Sequence, residues 1–528
     1  MRTKSELLVC LISFALLLVS CITRSGSDGG GRVDKIDFTG KYRPQYHFTP
    51  EKGWMNDPNG LVYFAGEYHL FYQYYPDSTV WGPMHWGHAL SRDLIHWKHL
   101  PVALFPDSLG YIFSGSAVVD KNNTSGFGSA GKVPLVAIYA IHDPIKERSG
   151  SKTFENQGLA FSLDNGLTWT KYSGNPVLRN PGVRDFRDPK VFWHEKTGRW
   201  IMILAVHDKI HIYSSPDLKE WTLESDFGEG IGAHGGVWEC PDLFTLKESG
   251  TEKWVMLVSI NPGGPNGGSA TQYFTGSFDG HKFIPDDTII KWIDYGPDNY
   301  AGVTWSDIPE TDGRRIFLGW MSNWNYAPVV PATTWRSAMT LPRQLKLKND
   351  GGNHILISEP VIEVEALRIA SKSAGFQLDG SAKEEELLDD SFDMSKCELA
   401  FDFNFTGSFP DTLKIVIGND KSEKLTIGVS FVSKTFFVNR KYSGNTNFSD
   451  SFARISTAPY QPGKALKVKI FLDTSSSEVF VDGGRLVMTS LFFPSKEFSR
   501  LQLFSKGGGS LSGSCKFHEL NSIWQPGR

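Results

Sequence analysis

From Lys41 onward, apolar positions recur at period two, in short runs cut by Gly, Pro, Asn and Asp, and no long helical period is found. Residues 61–64 and 67–75 are two such runs parted by Ala65-Gly66, which predicts a hairpin. Alternation puts His69, Phe71, Gln73 and Tyr75 on one face of the second strand, and Tyr68, Leu70, Tyr72 and Tyr74 on the other. Short strands and turns of this kind continue to about Arg343. A weak repeat runs through them. Ser91-Arg92-Asp93 precedes Trp97, Ser162-Leu163-Asp164 precedes Trp169, Ser215-Pro216-Asp217 precedes Trp221, and Ser277-Phe278-Asp279 precedes Phe283. The copies are spaced by about one four-stranded blade with its loops, which predicts a β-propeller.

Composition changes after Leu341-Pro342-Arg343. Residues 41–345 are assigned to the propeller, and 346–370, where charges alternate with aliphatics, to a connector. Strand-like runs resume at 399–405, 413–417, 425–431 and 466–471, and 478–484 ends in a Gly-Gly hairpin signal. Residues 371–528 are therefore expected to form a β-sandwich of auxiliary role.

A chain of 528 residues is too long for one ordinary core, so two domains are expected. A net charge of −4 gives no reason to expect nucleic acid or an acidic membrane surface as partner. The chain is rich in Trp, Tyr and Phe, whose faces fill cores but also stack on sugar rings. At the N-terminus, Arg2 and Lys4 precede an apolar run over 7–19, too short for a membrane span and suited to an export signal. Leu18-Val19-Ser20-Cys21 resembles a bacterial lipobox, so 1–21 is read as a signal with Cys21 as lipidation site, and 22–40 as a Gly/Ser-rich tether. The plainer alternative is a secretory signal with an incidental Cys. With Cys10 removed and Cys21 lipidated, Cys240, Cys397 and Cys515 remain, which is neither a disulfide framework nor a zinc set. Cys397 and Cys515 could pair or stay as two buried thiols.

Three acids stand in unusual settings. Asp57 lies in W-M-N-D-P-N-G (residues 54–60), which reads locally as a tight turn; Asp188 lies in F-R-D-P and Glu239 in W-E-C-P-D. In this order they resemble the signature set of glycoside hydrolase family 32, the invertases, inulinases, levanases and fructan exohydrolases. The resemblance covers most of residues 44–525, strongly in the first domain and loosely in the second. It implies an all-β chain with a five-bladed propeller, the four repeat copies plus an irregular closing blade, followed by the sandwich. It further implies Asp57 as nucleophile, Glu239 as general acid/base, and Asp188, beside Arg187, as transition-state stabiliser. The chemistry suits these settings. A retaining glycosidase needs one carboxylate facing the anomeric carbon and one carboxylic acid on the leaving oxygen, about 5–5.5 Å apart. The Asn56 amide and nearby N–H groups suit an ionised Asp57, and apolar neighbours Trp238 and Cys240 suit a protonated Glu239. Taken alone, Arg187-Asp188 reads as a structural ion pair. Further matches to the family's sugar pocket fall at Gln73, Trp81, Phe113-Ser114 and Trp335, although Trp81 and Trp335 suit a core equally well. Asp242 and 295–300 are expected at the rim, and the Gly/Pro/Asn loop 261–268 resembles that of microbial levanases and exo-inulinases more than that of plant invertases.

The resemblance thus predicts a retaining β-fructosidase that releases fructose from the non-reducing end of levan or inulin and also cleaves sucrose, with no cofactor and no metal. The chain is expected to be exported as an outer-membrane lipoprotein, periplasmic or on the cell surface, touching the membrane only through its lipid, or otherwise secreted. Alternatives are a dedicated invertase, an endo-levanase with an open groove, and a non-catalytic fructan-binding lipoprotein, which would have no need of Glu239.

Overall fold

The computed structural model describes residues 38–379, 383–388 and 392–524; Cys21, the rest of the segment read as a signal and most of the segment read as a tether lie outside them. Five antiparallel sheets follow one another along the chain. Blade I comprises Gly53–Phe64, Glu67–Tyr75, His85–Ser91 and Lys98–Leu104, and blade II Tyr111–Val119, Leu135–His142, Glu155–Ser162 and Thr170–Lys171. Blade III runs through Phe186–His194, Arg199–Val206, Lys209–Ser215 and Thr222–Phe227. Blade IV is built on Val237–Glu248, Thr251–Asn261, Ala270–Phe278 and Phe283–Pro285, and blade V on Tyr300–Thr304, Arg315–Met321, Arg343–Asp350 and Asn353–Pro360. The first strand of each blade touches the first strand of the next, and that of blade V touches that of blade I, so five innermost strands close a ring. Trp335–Arg336 adds in parallel to Gly53–Trp54 and ties the end of the propeller to its beginning.

The Ser-x-Asp repeat is the turn between the third and fourth strands of blades I to IV. In blade I the Ser91 hydroxyl donates to Asp93, whose carboxylate accepts the amides of Ile95 at 3.0 Å and His96 at 2.8 Å. Asp217 does the same for Lys219 and Glu220, and Asp279 for His281 and Lys282. A short carboxylate that satisfies turn amides is the physical content of the repeat. Blade V turns on Asp350-Gly351-Gly352-Asn353 instead.

Two expectations need correction. Residues 346–360, read as the start of the connector, belong with 343–345 to a hairpin that pairs with Arg315–Phe317 and completes blade V. Its charge–aliphatic alternation is the period of a half-buried strand, with Leu345 and Leu347 inward and Lys346 and Lys348 in solvent. The connection between domains is the short 3-10 helix Ile362–Leu367. Likewise 54–60 is no turn between strands; it lies inside the innermost strand of blade I.

The second domain packs two six-stranded sheets face to face over one core. Cys397 and Cys515 are buried in it as free thiols. The domains share a buried ionic contact. Arg343 pairs with Asp294 at 2.9 Å and with Glu478, while His47 lies between Asp473 (2.8 Å) and Glu478 (2.9 Å). Arg440 of the sandwich meets Asp298 and the Tyr326 hydroxyl of the propeller. The loop 261–268 is fastened to the sandwich as well, since Asn266 exchanges hydrogen bonds with Thr457.

Candidate active site

All five innermost strands carry a one-residue bulge near one end of the axis. The ladder slips at Asn56-Asp57 opposite Gln73, at Phe113-Ser114 opposite Ala140, and at Asp188-Pro189 opposite Leu204. It slips again at Cys240-Pro241 opposite Val258 and at Ala301-Gly302 opposite Gly319. A bulge re-aims side chains and increases local twist. It also admits Pro58, Pro189 and Pro241, which have no N–H to give to a ladder. Asp188, Cys240 and Ala301 take positive φ (64°, 44° and 53°), a strained setting that clusters at functional sites. The D-P and E-C-P motifs are therefore bulge motifs, and they turn acids from three blades toward one cavity.

That cavity has a volume of about 270 Å³. Asp57 accepts the Ser114 hydroxyl at 2.7 Å on Oδ2 and the Asn56 amide at 3.0 Å on Oδ1, and Asn56 is itself fixed by the Trp54 indole at 2.7 Å. Asp188 Oδ2 accepts the backbone N–H of Cys240 at 3.0 Å. The Cys240 thiol lies 3.4 Å from Asp57 and 3.6 Å from Asp188; burial and the surrounding carboxylates push it well up, so it stays an S–H donor. Glu239 accepts Arg187 Nη2 on Oε1 at 2.9 Å and the Tyr300 hydroxyl on Oε2. Burial raises the Glu239 carboxyl, Arg187 and Tyr300 oppose the rise, and Asp57 adds to it. Burial also raises Asp188, to about 8, against the pull of Arg187 and with help from Glu239 and Asp57. Crowded carboxylates of this kind share protons and titrate as a set.

Asp57, Asp188, Glu239, Asn56, Gln73, Trp81, Phe113, Ser114 and Arg187 all line this cavity. Gln73 donates to the carbonyl of Ile112 at 3.0 Å, and Trp81 stands 40% exposed at the edge of the Phe113 ring. Trp335 is not in the wall. Its ring is buried under the Arg43 guanidinium, 4.8 Å from the centroid, and the indole at the cavity is that of Trp324. Asp242 is not at a rim either. Fully buried, it accepts the amide of Thr304 at 2.6 Å and meets Lys190 at 3.2 Å. Of 295–300, only Tyr300 reaches the acids; Asp298 joins the domain contact. His142, Glu147, Phe154, Glu155 and Asp185 complete the wall, and no motif marked them. A larger groove of about 1160 Å³ lies on the sandwich side, where Asp393 and Asp420 are paired with Lys396 and Lys496.

A carboxylate held by hydroxyl and amide donors, beside a carboxylic acid raised by burial, is equipped for acid–base cleavage of a glycosidic bond. The comparisons agree. Residues 47–360 match the model described as glycosyl hydrolases family 32 N-terminal domain, and 363–522 that described as glycosyl hydrolases family 32 C terminal. The chain is 47% identical over 529 residues to a levanase of Bacillus subtilis, across 99% of this chain and 76% of that protein. It is 40% identical over 528 residues to an extracellular exo-inulinase of Aspergillus ficuum, across 94% and 97% respectively. The crystal structure of exo-inulinase from Aspergillus awamori is similar with a TM-score of 0.84 at 37% identity, over 92% of this chain and 100% of that one. The chain belongs to glycosyl hydrolase family 32.

Proposed function

We propose that the chain is an exported, retaining fructan β-fructosidase that removes fructose from the non-reducing end of levan or inulin and also hydrolyses sucrose. Asp57 attacks the anomeric carbon of the terminal fructose while Glu239 gives its proton to the departing oxygen, so the glycosidic C–O bond breaks as an ester to Asp57 forms. Glu239, now ionised, takes a proton from water as that water attacks the same carbon and frees Asp57. Asp188 and Arg187 hold sugar hydroxyls as the oxocarbenium-like charge develops. Gln73, Trp81, Phe113, Ser114 and Trp324 enclose the terminal ring.

The observation that carries this reading is the pairing of a donor-held Asp57 with a half-buried Glu239 raised by desolvation, in a cavity of about 270 Å³. That is near the lower end of small-molecule sites, roughly 300–1,000 Å³, and suits one sugar ring better than a bound stretch of polymer. The names of the levanase and the extracellular exo-inulinase support fructans as substrates, and the latter supports export. The L-V-S-C sequence before a polar tether supports a lipid anchor at Cys21 in an outer membrane.

The test is a time course of products from levan, inulin and sucrose. Fructose is expected as the sole early product from both polymers. A ladder of fructo-oligosaccharides in the first minutes would make the enzyme endo-acting, and turnover of sucrose alone would make it an invertase.

A further inference from the structure

Among the described residues that line the cavity, Arg187 is the sole lysine or arginine, and four carboxylates compete for it. Nη2 donates to Glu239 at 2.9 Å, Nη1 donates to Asp185 at 2.8 Å and to Glu155 at 3.2 Å, and Nε lies 3.9 Å from Asp188. Glu155 opens the third strand of blade II and is 2% exposed. Its Oε2 accepts the backbone N–H of Phe186 at 2.7 Å, so one carboxylate grips both the head of Arg187 and the residue before it. The proposed mechanism leaves Glu155 unused. A carboxylate buried this deeply is costly, and it persists only where it has partners and a reason to be charged.

We propose that Glu155 is a positioning residue of the reaction, one that holds back part of the Arg187 charge from Glu239 and so sets the pH up to which Glu239 can still give its proton. The proposal rests on the reading of Glu239 as the acid. A guanidinium committed to Glu239 alone would favour the carboxylate and leave no proton to donate. Shared with Glu155 and Asp185, it orients Glu239 without stripping it. The remaining neighbours are consistent with this division. Glu239 also faces Tyr300, Asp57 and Asp188, and the Cys240 thiol lies beside the two aspartates. Glu155 faces Arg187, the Phe186 amide and His142, whose Nδ1 is 3.7 Å away while its Nε2 meets Glu147 at 3.1 Å. Asp185 faces Arg187, Arg184 at 3.9 Å and His207 at 3.4 Å. Burial works against the charge on Glu155, yet Arg187, His142 and the Phe186 amide hold it below the ordinary range, so it is a fixed negative charge across the working range.

The experiment is the pH dependence of kcat/KM on inulin or levan and on an aryl fructoside. Glu155→Gln keeps the acceptor for Phe186 and removes the charge, and its alkaline limb on polymer should move to lower pH by on the order of one unit. Asp185→Asn, at a more open position where Asn tolerates the positive φ of 56°, should move the limb the same way. Glu155→Asp, which keeps the charge, should restore the limb of the unmodified enzyme. On the aryl fructoside, where no proton is needed to expel the leaving group, the shift should be much smaller. A uniform loss of rate with the limb unmoved, or a limb moved upward, overturns the proposal. Should Glu155→Gln not fold, Asp185→Asn decides alone. Failure of the underlying reading shows separately, as Glu239→Gln turning over polymer at the rate of the unmodified enzyme.

Discussion

The hydroxyl of Ser114 stands 2.7 Å from Oδ2 of Asp57, joining the bulge of blade II to that of blade I. A hydrogen bond to a charged group is worth about 1.5–3 kcal/mol. Ser114→Ala is therefore expected to lower kcat/KM about 10- to 100-fold. The loss should be alike on polymer and on an aryl fructoside, because the nucleophile serves both, and the melting temperature should stay within a few degrees. A loss confined to polymer would place the hydroxyl on the leaving group's side.

The roles of Asp57 and Glu239 separate by what rescues them. Both alanine variants should be inactive on natural substrates, since the acid alone supplies roughly 10²–10⁴-fold. On an aryl fructoside Glu239→Ala should give a burst followed by slow turnover, and azide, which needs no general base, should speed the slow phase. Asp57→Ala should show neither effect. A burst from Asp57→Ala and none from Glu239→Ala would reverse the assignment.

Tyr300 donates to Glu239 in its charged form, which favours that form. Tyr300→Phe should thus raise the Glu239 carboxyl further and extend the alkaline limb of kcat/KM to higher pH, opposite in sign to the shift expected of Glu155→Gln. The rate at the optimum should drop, because the acid loses a contact that orients it. Equal pH profiles for the variant and the unmodified enzyme would show that the hydroxyl does not act on Glu239.

At the domain contact, burial would push the His47 imidazole down, but its hydrogen bonds to Asp473 and Glu478 outweigh burial and raise it from 6.5 to about 9. The folded protein keeps there a proton that the unfolded chain releases near pH 6.5. The resulting stabilisation is full below that pH and is lost as pH rises to about 9, an effect on the order of 3 kcal/mol. Melting temperature should fall over this window, and His47→Gln, less stable at pH 6, should fall less. A parallel decline in both proteins would remove His47 as the cause.

Cys21→Ala should release the enzyme from membranes with its specific activity intact, because the lipobox reading places the only anchor there. The check is fractionation of cells producing each form. Unmodified enzyme found entirely in the soluble fraction would end the lipoprotein reading.

How much of this was legible in the chain depended on whether local chemistry carried it. The four Ser-x-Asp turns were readable because each satisfies its own amides within a few residues. The three acids stood out because Asp-Pro and Glu-Cys-Pro are poor strand sequences, and that same oddness disguised 54–60 as a turn when it is a bulged strand. Asp242 was misplaced for a related reason. One extra residue after Glu239 shifts the alternation of side chains, and Asp242 turns beneath the site toward Lys190 and Thr304. Trp335 and Trp324 are both large aromatics near the end of the propeller, and only the closure onto Gly53–Trp54 decides which of them is buried under Arg43. Glu155 and His142 lie in ordinary strand contexts of blade II and Asp185 in the loop that opens blade III, and their part depends on where the Arg187 guanidinium arrives.

The ionic contact between the domains bears on how such a protein can be taken apart. Here Asp298 of the propeller is neutralised by Arg440 of the sandwich, and the sandwich's Glu478 by Arg343 and His47 of the propeller. Removing one partner of such a pair strands a buried charge, at a cost of about 3–5 kcal/mol each, which is a large part of an ordinary domain's stability. The sandwich is thus a co-folding subunit in all but covalent terms, and recombination between family members should tolerate a swap only when both halves of these pairs travel together.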